Sequence, residues 1–253
     1  MDQNQDSELV ISAFDGAIVV HRVRDATRAF YYDITFDLSH PRLIQLASAD
    51  KPPMHFHPYQ EEYIQVLSGT LGVEVEKAAY RLRPEDGELC VAPWANHRLY
   101  PLTLVAQGAP DGDRQDEIES SADETAPPPQ PALRTTRFLL SAQKSAVAFR
   151  LDDNFFQNWY GYQDEVVMSG RKLDMIQVMN MFDAGGSYLT LPSWIPFSKR
   201  LAQIVGIVVG RWIGGLLGYQ PFHRKWTTDW TLASEKLETS WFLRRFSDRA
   251  KFA

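Results

Sequence analysis

The sequence predicts a mainly β fold that ends in helices, and three patterns along the chain carry this prediction. From residue 8 to 106, short runs alternate apolar and polar residues between clusters of Pro, Gly and Asp, as antiparallel strands do. Residues 107–131 are acidic, proline-rich and nearly free of large apolar side chains. After residue 153, aromatic and aliphatic residues recur at helical spacing. We therefore expect strands first and helices last.

The strand region is expected to form one β domain over residues 8–150. Its clearest runs are Gly16-Ala-Ile-Val-Val, Ala29-Phe-Tyr-Tyr-Asp-Ile-Thr-Phe and Gly72-Val-Glu-Val-Glu. A further run, Thr136-Arg-Phe-Leu-Leu-Ser-Ala, predicts one more strand beyond the acidic segment. The segment 107–131 has too few apolar side chains for their burial to offset the entropy lost on ordering, so it is predicted to be a flexible surface insertion within this domain.

Residues 151–253 are predicted to form a helical extension that packs on the β domain. Between Asp153 and Phe182 the helical spacing brings together four aromatic side chains, Phe155, Phe156, Trp159 and Tyr160. The sequence Asp183-Ala-Gly-Gly is a plausible end for this helical region. We expect these aromatic residues to pack on the β domain and to form part of a pocket or of a dimer contact.

A second apolar stretch, residues 201–219, carries glycine at every fourth position: Gly206, Gly210, Gly214 and Gly218. One helical face therefore lacks side chains and can be approached closely. Arg211 near the middle makes membrane spanning costly. Packing against another helix or forming a pocket lid is preferred, while a homodimer contact and association with a membrane surface stay open.

Composition excludes several classes of partner. The net charge is −6 and the 26 basic residues are scattered, so the basic surface needed for nucleic acid is missing. A single cysteine allows no internal disulfide. The start, MDQNQDSELV, has neither the basic nor the apolar region of a signal peptide, so a cytoplasmic protein is expected.

Candidate metal ligands lie in the strand region. His55 and His57 are two residues apart on a predicted strand, so both imidazoles are expected to point to one face. Glu62 follows five residues later, where the next strand begins, and can return to the same point. His97 ends a run in which Leu89 to Ala92 reads as a buried strand. Three imidazoles and one carboxylate suit one Fe, Mn, Ni, Cu or Zn ion.

These residues resemble the cupin motifs. The segment from Ala49 resembles the first motif, G(X)5HXH(X)3-4E(X)6G, at four of five anchors: His55, His57, Glu62 and Gly69. Ala49 stands for the first glycine. In the second motif, G(X)5PXG(X)2H, Gly87 and Pro93 fit, Ala95 stands for the second glycine, and His97 comes one residue early. The resemblance implies a single double-stranded β-helix, or jelly-roll, barrel with metal ligands His55, His57, Glu62 and His97.

One barrel of the cupin type-2 kind with a helical extension is also similar to a group of microbial cupin proteins, some encoded beside natural-product genes. This resemblance implies metabolism of a small molecule. We favour an enzyme, with Fe(II) the favoured ion and dioxygenase-type oxidation of an oxygenated organic substrate as the reaction. A redox-neutral isomerase, cyclase or lyase using Zn or Mn, and a non-catalytic metabolite-binding module, remain alternatives.

Three further side chains are candidates for proton transfer in the redox-neutral case: Glu61, Tyr63 and His40. Glu61 also competes with its neighbour Glu62 for the role of metal ligand. We prefer Glu62 because only this residue leaves the six-residue interval before Gly69 that the motif requires.

Overall fold

Two antiparallel sheets make up the first part of the protein, as seen in a computed structural model that describes residues 8–48, 51–102 and 134–247. The strands are β1 (Glu8–Ala13), β2 (Ile18–Arg22), β3 (Arg28–Asp37), β4 (His55–Phe56), β5 (Glu62–Ser68), β6 (Leu71–Val75), β7 (Ala78–Leu82), β8 (Glu88–Val91), β9 (His97–Pro101), β10 (Thr135–Gln143) and β11 (Tyr188–Leu189). The six-stranded sheet has the order β1-β2-β3-β10-β5-β8 and the five-stranded sheet has the order β11-β4-β9-β6-β7.

The sheets form because alternate side chains of each strand are apolar and face a common core. In β3 and β5 every second residue is buried. Ile64 and Val66 of the larger sheet belong to the same hydrophobic cluster as Leu71 and Val73 of the smaller one, so the two sheets pack face to face. The predicted mainly β, jelly-roll barrel with C-terminal helices is confirmed.

Strand β10 joins the barrel in the middle of the larger sheet. It pairs with β3 on one side and with β5 on the other, as the run from Thr136 to Ala142 predicted for a further strand. The predicted insertion, residues 107–131, lies outside the described residues. Strand β8 differs from expectation, because it is an edge strand in which Val91 alone is buried.

The helices are α1 (Pro41–Ser48), α2 (Asp153–Met168), α3 (Met175–Ala184), α4 (Ser198–Val205), α5 (Gly215–Leu217) and α6 (Trp230–Glu238). A π-helical segment (Gly206–Gly214) joins α4 to α5 without a break, and short 3-10 turns occupy Pro84–Asp86 and Arg244–Phe246. The region predicted as helical from Asp153 to Phe182 is thus two helices. Gly170, with a φ of +67°, lies in the break between them.

The C-terminal region is not purely helical, because it supplies β11 to the barrel. Tyr188 and Leu189 pair with Phe56 and His55 of β4. The aromatic rings of Phe155 and Phe156 in α2 also belong to the main core cluster. Residues beyond 150 therefore complete both the smaller sheet and the core of the barrel.

The glycine face of the 198–217 helix packs on α3 and β11, as the helix-packing interpretation predicts. A Cβ atom added at Gly206 would lie 2.6 Å from the ring of Tyr188, and one at Gly210 would lie 2.4 Å from the carbonyl oxygen of Met179. Gly218 has no neighbour within 4 Å and ends the helix with a φ of +103°. By length and composition this helix is one that could cross a membrane.

Candidate metal centre

Three histidines converge between the smaller sheet and the barrel interior. His55 in β4 lies directly opposite His97 in β9, and His57 is the first residue after β4. The ring centroids of the three pairs are 4.5 to 5.0 Å apart. One nitrogen atom from each ring lies within 4.8 Å of the others, so the three side chains could hold one metal ion.

Each imidazole is oriented through its Nδ1 atom. The partner is the carbonyl oxygen of Pro53 for His55, at 3.2 Å, and that of Ala95 for His97, at 2.9 Å. For His57 the partner is Oγ of Ser187, at 2.8 Å. With Nδ1 engaged, Nε2 is the atom left to face the cluster, which is how metal-binding histidines are commonly held.

Glu62 lies beside the three histidines and contacts one of them. It is the first residue of β5, it points inward, and its Oε2 lies 3.0 Å from Nε2 of His97. The two atoms form a close, buried ion pair, and neither they nor Nε2 of His57 have a satisfied hydrogen bond among the described residues. Such atoms are costly to leave unpaired. Three imidazoles and a carboxylate with free ligand atoms fit a divalent transition-metal ion.

The electrostatic surroundings keep two of the rings neutral. Burial, together with the neighbouring His97, lowers the pKa of His55 to about 3. Burial also holds the pKa of His57 well below its ordinary value. At His97 burial acts in the same direction, but the contact with Glu62 outweighs it and raises the pKa. Neutral imidazoles retain the lone pair that a metal ion requires.

Aromatic side chains from the helices cover the cluster. The ring of Phe182 in α3 lies 5.8 Å from that of His55, and Trp159 in α2 packs edge-on against Phe182 at 4.9 Å. Burial and the nearby Glu62 raise the pKa of Tyr160 to about 12. His57 and His97 are buried, while His55 is partly buried.

The three side chains predicted as candidates for proton transfer, Glu61, Tyr63 and His40, contact residues outside the histidine cluster. Glu61 accepts a hydrogen bond from the hydroxyl of Tyr63, and the guanidinium of Arg28 lies 3.5 Å from the Tyr63 ring centroid. Because side chains alternate along β5, Tyr63 faces away from the side that carries Glu62. His40 precedes α1, where its Nδ1 accepts from the backbone N–H of Arg42 at 3.2 Å. None of these contacts reaches the histidine cluster.

Ser187 and Phe182 are site residues that the sequence did not single out. Their positions depend on the end of α3 and on the pairing of β11 with β4, a contact across more than 130 residues of chain. The one local signal was the predicted helix end at Asp183-Ala-Gly-Gly, since Gly185 does cap α3. That signal shows where the helix stops, but not which strand the chain then joins.

Comparison with known proteins identifies relatives along nearly the whole chain. No protein-family model matches. The probable oxidoreductase yanE of Aspergillus niger is 41% identical over 242 residues, which cover 94% of this chain and 84% of yanE. The chain belongs to the yanE family. A further relative of this yanE-family protein, the epoxidase atD of Aspergillus terreus, is 36% identical over 196 residues, covering 78% of the chain and 53% of atD.

Solved structures resemble the yanE-family protein much less closely. A sugar phosphate isomerase of the cupin superfamily from Silicibacter pomeroyi is 12% identical and superposes with a TM-score of 0.30, over 51% of this chain and 60% of the isomerase.

Proposed function

We propose that the protein is a metal-dependent oxidoreductase that oxidises a small, oxygenated organic molecule by dioxygenase-type chemistry. One divalent ion, Fe(II) in preference to Zn, Mn, Ni or Cu, would be held by His55, His57, Glu62 and His97. The observation that carries the proposal is the cluster of three histidines beside Glu62, in which His57, His97 and Glu62 each bury a ligand atom that has no satisfied hydrogen bond among the described residues. The oxidoreductase and epoxidase names of the relatives favour oxidation over a redox-neutral reaction.

When bound, such an ion supplies a positive centre that binds substrate oxygen atoms and, as iron, exchanges electrons with dioxygen. The chain's own groups provide the surroundings. Ser187 and two backbone carbonyls fix the imidazole planes. Phe182 and Trp159 keep water from the covered side. Tyr160 retains its proton at neutral pH, because its pKa is near 12, and its hydroxyl can donate a hydrogen bond to a substrate oxygen.

Elemental analysis of the purified protein tests the proposal. We expect about one transition-metal ion per chain, and loss of that ion in His57→Ala and His97→Ala, because the described residues contain one group of three histidines that could bind a metal ion. His40→Ala and Glu61→Gln serve as matched controls and should retain the ion. A metal content near zero after careful loading would contradict metal dependence. Full occupancy by zinc after native purification would contradict the oxidative reaction.

Replacing Ser187 with Ala is expected to weaken metal binding without removing any ligand. The hydroxyl holds Nδ1 of His57 at 2.8 Å, and loss of such an outer partner typically costs about 10–100-fold in metal affinity. Competition with a chromophoric chelator measures the change. Ser193→Ala, at an exposed position, is the control and should bind metal normally. Equal affinity in the two variants would show that Ser187 does not support the site.

A further inference from the structure

The 198–217 helix has an unusual distribution of side chains, because it buries glycine and exposes large apolar residues. Gly206, Gly210 and Gly214 are buried against α3 and β11. The opposite side and the loop before it expose large apolar side chains, among them Phe197 at 86%, Trp194 at 82% and Leu217 at 64%. A surface helix of a soluble protein normally has its apolar residues inside. An exposed apolar patch of this kind marks an interaction surface.

The patch continues beyond the helix into the C-terminal turn. The ring of Trp212 stacks on Phe242 at 5.7 Å, and Phe242 contacts Trp241 edge-on at 5.1 Å. Trp241 is 64% exposed. We call this surface, formed by residues 194–217 and 241–242, the apolar face. Tryptophan side chains near both of its ends suit a boundary between apolar and aqueous phases.

Charge is segregated around the apolar face. Although the chain carries a net charge of −6, residues 184–228 contain no Asp or Glu and five Lys or Arg residues. Three of these cations, Lys199, Arg211 and Lys225, pair with carboxylates from other parts of the fold, so the positive charge left beside the apolar face comes from arginines that lie over tryptophan rings. Arg200 lies beside Trp94 in this region, at 4.1 Å from the ring centroid. Arg244 lies over Trp241, and Arg245 donates to the carbonyl oxygens of Gly215 and Leu216. Apolar and aromatic side chains bordered by cations are the features of helices that bind anionic lipid surfaces.

The helix is held in the protein too firmly to span a bilayer. Arg211 forms two hydrogen bonds with the fully buried carboxylate of Asp183, at 2.6 and 2.8 Å. Asn180 donates to the carbonyl oxygen of Gly210 at 2.7 Å. Withdrawing the helix would leave Asp183 as a buried, unpaired charge. The helix can therefore offer only its outer side, lying parallel to a surface.

We propose that the apolar face docks the protein on membranes that contain anionic lipid, with the 198–217 helix in the plane of the interface. Trp194, Phe197 and Leu217 enter the acyl region, while the bordering arginines contact phosphate and carboxylate headgroups. A second copy of the chain is a poorer occupant. A two-fold dimer brings the same patch against itself, so these cations would face one another.

Flotation of the full-length protein with vesicles tests this docking. We expect binding to vesicles of phosphatidylcholine and phosphatidylserine at a ratio of about 7:3, and much weaker binding to phosphatidylcholine alone, since each cation near an anionic surface contributes about fivefold. The variant Trp194→Ser/Phe197→Ser/Leu217→Ser should lose at least about tenfold in bound fraction. The variant Arg200→Gln/Arg244→Gln should bind less to the anionic vesicles, while its weak binding to phosphatidylcholine vesicles should not change.

Matched controls separate docking from general hydrophobicity and from unfolding. Leu9→Ser/Ile44→Ser removes apolar side chains that are 56% and 46% exposed on other surfaces, and it should bind like the unmodified protein. All variants should keep their melting temperatures, because the replaced side chains are exposed. Equal binding to neutral and anionic vesicles, or equal loss in the control variant, would overturn the proposal. The proposal would also be overturned if the unmodified protein did not bind vesicles and instead formed a dimer that the triple variant dissociates.

Discussion

An Asp152→Ala variant is expected to lose about 3–5 kcal/mol of its free energy of unfolding, the range found when one partner of a buried ion pair is removed. Asp152 and Lys236 are 5% and 2% exposed, and Nζ of Lys236 lies 2.8 Å from the carboxylate. Burial already lowers the pKa of Lys236. Without Asp152, the ammonium group retains one described acceptor, the carbonyl oxygen of Arg150 at 3.2 Å. Denaturant unfolding measures the loss.

Asp152 also caps α2, and a second variant isolates that contribution. Asp229 caps α6 by accepting from the N–H of Leu232 but has no buried cationic partner among its described contacts, so Asp229→Ala should cost about 0.5–2 kcal/mol. The double variant Asp152→Ala/Lys236→Met removes both charges and should recover most of the loss, leaving about the cost of a cap. Equal losses in Asp152→Ala and Asp229→Ala would show that the ion pair is not the cause.

A Gly210→Leu variant is expected to be destabilised by overpacking, by at least about 1–3 kcal/mol. The added Cβ would lie 2.4 Å from the carbonyl oxygen of Met179 and 2.8 Å from the backbone nitrogen of Asn180. These neighbours are backbone atoms of α3, which cannot relieve the overlap by changing rotamer as a side chain can. Thermal unfolding monitored by circular dichroism shows the effect.

Two further substitutions test whether the destabilisation depends on the size and the position of the added side chain. Gly210→Ala already places a carbon atom against α3, so it should lie between the parent protein and Gly210→Leu. Leu217→Ala changes the outer side of the same helix, where the side chain is 64% exposed, and should stay within about 0.5 kcal/mol. An unchanged melting temperature in Gly210→Leu would contradict the packing of the glycine face on α3.

Local patterns were enough to predict many of the strands and most of the candidate metal site. His55 and His57 are fixed by strand periodicity, and Glu62 by the start of the next strand. His97 comes one residue early against the cupin motif, yet it lies opposite His55 because β9 begins at that residue. For His97, the motif spacing was therefore a poorer guide than the strand on which this candidate ligand lies.

Contacts between distant parts of the chain were not predictable in this way. Strand β11 has two residues, too few to show any periodicity, and its pairing with β4 decides where Ser187 lies. The expected buried strand near Leu89 fails for a related reason, since its apolar run does not show that β8 is an edge strand. Arg211 was recognised as costly in a membrane, but its buried partner Asp183 was visible only in three dimensions.

The pairing of β11 with β4 also determines how early the candidate metal site can form while the chain is being synthesised. The strand that carries His55 is made early, but its neighbour, Tyr188–Leu189, is made more than 130 residues later. Strand β10, in the middle of the larger sheet, also emerges well after its partner β3. Pairings between such distant segments form slowly, because the entropy lost on closing a long loop precedes the favourable contacts that offset it. The nascent chain therefore cannot complete the histidine cluster and its Ser187 contact until most of the protein has left the ribosome.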